Sequence, residues 1–157
     1  MPLIHLTTHI HAPIERCFDL SRSIDLHKIS TAKTRETAIA GTTHGLISEG
    51  ESVTWLATHF GIRQRLTTTI TAYDRPRHFR DEQTNGIFKI LRHDHYFAPH
   101  GEGTLMQDDF LFESPFGVLG RLFNALLLTR YLKNFLLERN AVIKAFAESD
   151  RWKELLV

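Results

Sequence analysis

One cysteine, Cys17, is all the chain contains, so no internal disulfide can staple it. Neither sign of charge dominates: 19 Lys and Arg stand against 18 Asp and Glu, which leaves no basic footprint for nucleic acid. Apolar runs of membrane length are missing. The most apolar window, Val118 to Leu137, is broken by Arg121, Asn124, Arg130, Lys133 and Asn134, and is too polar for a spanning helix. The opening MPLIHLTTHIHAP has no basic start and no continuous apolar core, so no signal peptide is expected and the expected setting is the cytoplasm. Nucleophile-elbow, P-loop, dinucleotide-fingerprint and CxxC patterns are all lacking, and no cofactor is expected.

What is present is an ordinary globular composition over 157 residues, enough for one domain (1–157) with a real core. Ten histidines are many, but they are scattered rather than gathered into a tract. The most organised stretch runs from Leu128 to Phe146. Leu128, Leu132, Phe135, Val142 and Phe146 fall on one helical stripe, widened by Tyr131, Leu136 and Ile143. Lys133, Asn134, Asn140, Ala141 and Lys144 fall on the back. Arg139 sits in the middle of the apolar face, where a charge needs a partner or a purpose.

Leu3 to His11 alternates as a strand, with Ile4, Leu6, Thr8 and Ile10 on one side and His5, Thr7, His9 and His11 on the other. His9 and His11 read as a solvated face. Ala12-Pro13 opens a helix that buries Ile14, Cys17 and Phe18, which makes Cys17 a buried, inert thiol rather than a nucleophile. A second short helix follows within Asp19–Ile29, with Ser23 and Asp25 as candidate caps.

From Thr31 to Phe112 the pattern is β throughout. Strands are expected over Thr34–Ala40, Glu51–Phe60, Ile62–Tyr73, His78–Gln83, Ile87–Ala98 and Thr104–Phe112. Turns fall at Gly41–Gly45, Gly61, Asp74-Arg75-Pro76, Thr84-Asn85-Gly86 and Pro99–Gly103. Arg63 and Arg65 lie on a threonine-rich outer face as solvated charge. Ser114-Pro115 is expected to cap the last helical region. There Leu119, Leu122, Phe123, Leu126 and Leu127 form a stripe about 180° from that of the long helix, so a short helix, a bend and then the long helix are expected. The unmatched stripe over Phe116–Leu127 raises the expectation of a homodimer. Gly117 and Gly120 are better explained by helix packing than by an anion-binding turn.

Short connections make the sheet antiparallel, and a twisted sheet of this size curls. The expected class is α+β: a curved seven-stranded antiparallel sheet, two short helices after the first strand, and a long C-terminal helix closing a cavity on the concave side. In this order the stretches APIERCFDLSRSIDLH, GESVTWLATHFG, ITAYDRPRHFRDEQTNGIFK, HDHYF, GTLMQDDFLFESPFG and RYLKNFLLERNAVIK resemble the helix-grip fold of the START and birch-pollen-allergen (SRPBCC) superfamily. Within it they are most similar to the bacterial ligand-binding, polyketide cyclase-like group. The resemblance implies a pocket for a small hydrophobic ligand (a lipid, an aromatic or a polyketide-like molecule) and no particular reaction.

Candidate site residues are polar groups whose strand phase puts them among apolar neighbours. Trp55 and His59 share a face with Val53 and Ala57. On the HDHYF strand the face carrying Lys89, Leu91, His93, His95 and Phe97 is assigned inward, because Arg92 and Asp94 opposite cost more to bury than two neutral imidazoles. On the last strand Met106, Asp108, Phe110 and Phe112 share the more apolar side. With Phe135 and Arg139 from the helix, the expected ligand-binding set is Trp55, His59, His93, His95, Met106, Asp108, Phe110, Phe135 and Arg139. Three readings stay open. The set lines a cavity in which Arg139 or the histidines fix a carboxylate or phenolate. A His–Asp pair does acid–base chemistry, as in a cyclase, dehydratase or lyase. Or the groups merely satisfy one another, Arg139 bridging Asp108. His93-x-His95 with His59 and Asp108 offers metal-ligand types, but without the usual motif spacing, and no metal is assigned.

Overall fold

The computed structural model describes residues 2–115, 117–123 and 127–157. Seven strands form one antiparallel sheet: β1 Leu3–Ile10, β2 Thr37–Gly41, β3 Ser52–His59, β4 Ile62–Asp74, β5 His78–Asn85, β6 Ile90–His100 and β7 Gly103–Glu113. Their order across the sheet is β1-β7-β6-β5-β4-β3-β2. The two edges, β1 and β2, are joined through α1 (Ile14–Ser21) and α2 (Ile24–Ser30), which cross the concave face. A short helix α3 (Gly117–Phe123) precedes the long α4 (Thr129–Ala147), and α5 (Lys153–Leu156) ends the chain. α4 packs on β1, α1 and α2. The architecture is the helix-grip α+β fold.

Local chemistry explains the elements. Ser23 caps α2, its hydroxyl accepting from Leu26 N at 3.1 Å. Asp25 is not a cap; its carboxylate accepts from Gly45 N at 3.0 Å and ties the following loop to the helix. Cys17 is fully buried, and burial pushes its thiol above the ordinary value, away from reactivity. Phe60 and Gly61 carry φ of 53° and 73°, a primed hairpin turn that matches the twist of β3 and β4.

Several boundaries differ from the sequence expectation for identifiable reasons. The strand expected from Thr34 begins only at Thr37, because Ala32–Thr34 winds into a 3-10 turn that Arg35 ends at φ 52°. β5 runs to Asn85, and the hairpin turn moves to residues 86–89, where Gln83 clamps Phe88 by donating to its carbonyl (2.6 Å) and accepting from its N–H (3.2 Å). β6 therefore starts at Ile90, and Lys89 lies outside it. Ser114 does not cap a helix: its buried hydroxyl has no hydrogen-bond partner among the described residues.

Asn140, expected on the solvent side of the long helix, is 2% exposed. α4 lies in the trough between β1 and α1, so a broader arc of its surface is covered than the apolar stripe marks. The described part of the expected stripe is turned to solvent: Leu119 is 76% exposed, and Leu122 on α3 and Leu127 beyond it are also exposed. Phe116 and Leu126, and the side chain of Phe123, lie outside the described residues, so that part of the expected stripe and dimer surface does too.

Candidate functional site

The core is layered along the strands. Ile10, Phe79, Phe97, Met106 and Ile143 belong to one apolar cluster, under α1 and α2. Leu6, Leu91, Phe110 and Leu136 belong to another, under the first half of α4. Between them each element contributes polar groups: Thr8 on β1, Asp81 on β5, His93 and His95 on β6, Asp108 on β7, Arg139 and Asn140 on α4. Position within the strand sets this belt. His93 and His95 are two residues apart and so share the inner face. The register places His93 opposite Asp81 and His95 opposite Asp108.

The side chains then cross diagonally. His93 Nε2 lies 2.7 Å from Asp108 Oδ1, and His95 Nε2 lies 2.7 Å from Asp81 Oδ2. The two rings are in contact, with centroids 3.7 Å apart, and Phe79 stacks on His95 at 4.1 Å. Asn140 Nδ2 donates to Asp108 Oδ2 at 2.7 Å, and Arg139 Nη1 lies 3.5 Å from Asp108 Oδ1. Arg139 also donates to Asn140 Oδ1 (2.9 Å) and to the Ser21 carbonyl (3.3 Å).

Electrostatics follow from this wiring. Burial works against charge on Asp108, but the hydrogen bonds from His93 and His95 and the charge of Arg139 outweigh it and hold the carboxyl well below its usual range. Asp81 is lowered for the same kind of reason, burial being overcome by the hydrogen bond from His95. Burial, and then the neighbouring His95, push His93 below its ordinary value. The consistent state is an ionised Asp108 accepting the Nε2 proton of a neutral His93.

A cavity of about 480 Å³ lies between the sheet and α4, within the size range of small-molecule sites. His93, His95, Asp81 and Arg139 form part of its wall, together with Trp55, Ile70, Leu91, Phe110, Leu132 and Phe135. Of the expected set, Trp55, His59, His93, His95, Phe110, Phe135 and Arg139 line it. Met106 and Asp108 do not. Met106 is fully buried beneath α1, within hydrogen-bond reach of Ser21 Oγ, and Asp108 is fully buried among His93, Asn140 and Arg139. Arg139 points inward as expected, but its donors are engaged by the protein's own groups.

His59 belongs to a separate group at the other end of the cavity wall. Its Nδ1 pairs with Tyr131 Oη at 2.6 Å, and its Nε2 lies 3.6 Å from Glu36 Oε1. Glu36 also bonds His27, whose ring lies 4.2 Å from that of Trp55. Burial raises the Glu36 pKa, yet the two histidines bring it down to about 2. Phe60 leans on Tyr131 at the hairpin tip, with ring centroids 4.4 Å apart.

Asp81, Glu36, His27 and Asn140 belong to the cavity wall or the belt, and strand and helix phase alone do not single them out; Tyr131, on the edge of the expected helix stripe, also lines the cavity. Asp81 leaves the nearest trace, as an acidic residue on the strand before HDHYF, but its register against His93 is set by the fold. The three residues whose donor atoms come within 4.8 Å of one another are Asp81, His93 and His95, rather than the combination with His59 and Asp108. On the outer face Asp94 is itself buried, held by His78 Nε2 and Arg80 Nε at 2.7 Å each. It faces away from the cavity, as expected, but it is no less buried than His93; His78 and Arg80 offset the burial cost that this placement was expected to avoid.

No described helix is long and apolar enough to cross a membrane. No curated protein matches the chain by sequence. Among solved structures, a protein of Thermus thermophilus is 19% identical with a TM-score of 0.71, covering 92% of this chain and 98% of its own. A START superfamily protein of Mycobacterium smegmatis is 12% identical with a TM-score of 0.70, over 93% and 97%. The major latex-like protein 151 of Panax ginseng is 18% identical with a TM-score of 0.69, over 94% and 98%. These likenesses establish the fold alone. The family model for polyketide cyclase/dehydrase and lipid transport matches residues 1–148, and with it the chain belongs to that family, within the SRPBCC superfamily.

Proposed function

We propose that the protein binds a small hydrophobic ligand, lipid, aromatic or polyketide-like, between the sheet and α4, and carries or senses it. One observation supports this most: a largely apolar cavity of about 480 Å³ whose polar groups gather in two places, the His93–His95 belt and the Glu36 group. The expected anchoring of a ligand carboxylate by Arg139 is less well supported, because Asp108, Asn140 and Ser21 already hold the guanidinium. A hydroxyl or carbonyl meeting His93 and His95 suits the belt better, since Asp81 beside them repels an anion. The free thiol of Cys17 is compatible with the cytoplasmic setting we propose. Denaturing mass spectrometry of the purified protein tests the reading, together with displacement of a fluorescent aliphatic or aromatic probe. A co-purified hydrophobic molecule, and probe binding lost in Leu132→Trp, are expected. Failure of every probe to bind the folded wild type rejects it.

A second reading is acid–base catalysis of the cyclase or dehydratase kind, supported by the 2.7 Å pairing of cavity-lining His93 with buried Asp108. It predicts that His93→Asn retains probe binding and loses turnover. Unchanged turnover of a polyketide-like substrate in that variant would exclude His93 as the base.

A further inference from the structure

We propose that Asp81, His93 and His95 form a binding site for a divalent first-row transition-metal ion, with zinc the simplest occupant. One donor atom from each lies within 4.8 Å of the others, in the wall of the cavity. Donors bound to zinc at about 2.0–2.2 Å stand roughly 3.3 Å apart, so these groups need to close by about 1.5 Å at most. Asp81 supplies much of that movement by rotating its side chain, which is 23% exposed toward the cavity. Two histidines spaced i, i+2 on a strand hold their rings on one face, and a carboxylate on the neighbouring strand completes three protein ligands. Three ligands beside a cavity leave room in the coordination sphere for water or a ligand oxygen.

The surroundings fit this use. His93 commits Nε2 to Asp108 at 2.7 Å, which leaves Nδ1 for a metal and makes Asp108 the carboxylate that orients a coordinating imidazole. His95 Nε2 points to Asp81, and its Nδ1 lies 3.5 Å from Asp108 Oδ1. When Nε2 binds the ion, the ring proton moves to Nδ1 and is donated to Asp108, and Arg139 Nη2, which also lies 3.5 Å from Nδ1, gives up that contact and keeps the Ser21 carbonyl. Asp108 is held in turn by Asn140 and Arg139. By residue type the belt counts two carboxylates against one guanidinium, a net single negative charge that favours a cation. The site lies in the wall of the proposed ligand cavity, but it is tested with the metal alone, and so stands or falls separately from the organic ligand.

The experiment is calorimetric titration of the full chain, stripped with a chelator, with zinc chloride, and with cobalt chloride to read the visible spectrum. One ion per chain is expected, weakened tenfold or more in Asp81→Asn and roughly 10- to 100-fold in Asp108→Asn, which removes the orienting charge together with the counter-charge of Arg139. The competing surface imidazoles, His9 and His100, stand 3.1 Å apart; the double variant His9→Gln/His100→Gln is expected to bind as the wild type does. X-ray absorption of the zinc-loaded wild type gives the ligand set without any variant, and two imidazoles with oxygen donors are expected. Absence of stoichiometric binding, full affinity in Asp81→Asn, loss in the His9/His100 variant, or a spectrum without two imidazoles would each overturn the site.

Discussion

Asn140 places its side-chain amide 2.7 Å from Asp108 Oδ2, joining the long helix to the strand beside the sheet's first edge. A polar residue one position after Arg139 thus completes the acceptor needs of a carboxylate with no exposed surface. Asn140→Ala removes this donor, and with it the contact to Thr8 Oγ1 at 3.3 Å. The expected loss is about 2 kcal/mol, the range for leaving a buried charged acceptor short of a partner. Urea denaturation measures it, with an unchanged slope showing that the compactness of both states is preserved.

Removing the carboxylate itself strands a guanidinium. Asp108→Ala is expected to cost about 3–5 kcal/mol, because Arg139 then remains buried without its counter-charge. Arg139→Met in the same chain restores part of the loss, since an apolar pair avoids the desolvation of both charges. A double-mutant cycle is the measurement; strict additivity of the two changes would show that the pair is uncoupled.

Acid should loosen the Glu36 end of the cavity. Its carboxyl titrates at about 2 in the folded chain against an ordinary value of 4.5, so its stabilisation is complete above pH 4.5 and is lost as pH falls toward 2. The full effect is on the order of 3 kcal/mol. Thermal melts between pH 6 and pH 3 are expected to fall less steeply in Glu36→Gln than in the wild type. Parallel curves would mean that Glu36 has no special partners.

Changes on α3 should act on solubility rather than on folding. Leu119→Ser with Leu122→Ser alters two side chains that are 76% and 58% exposed, and stability is expected to stay within about 0.5 kcal/mol. Concentration-dependent light scattering is expected to fall, because the exposed apolar patch shrinks.

The long helix and the strand run were legible because their periodicity is strong: Leu132, Leu136, Ile143 and Phe146 are all buried as their spacing implies. The inward histidine face was read correctly, although the cost of burying Asp94 is met on the outer face by His78 and Arg80 rather than avoided. What stayed hidden depends on pairing between elements distant in sequence. Asp81 becomes notable only once β5 lies beside β6 in a register that sets it against His93. Glu36 falls within the strand expected over Thr34–Ala40 and stands out only once His27 and His59 close on it. Asn140 looks solvated on a helical wheel because a wheel cannot show that α1 and β1 cover two sides of the same helix.

The hairpin tip carries one more consequence. Phe60 holds a left-handed backbone at φ 53° that a bulky side chain adopts at a cost of roughly 1–2 kcal/mol, and glycine would hold it freely. Its ring nonetheless covers Tyr131 at the cavity rim. The backbone strain at this tip therefore lies apart from the Asp108 network, so a substitution at this one turn residue reshapes the rim and leaves the hydrogen bonds of Asp108 in place.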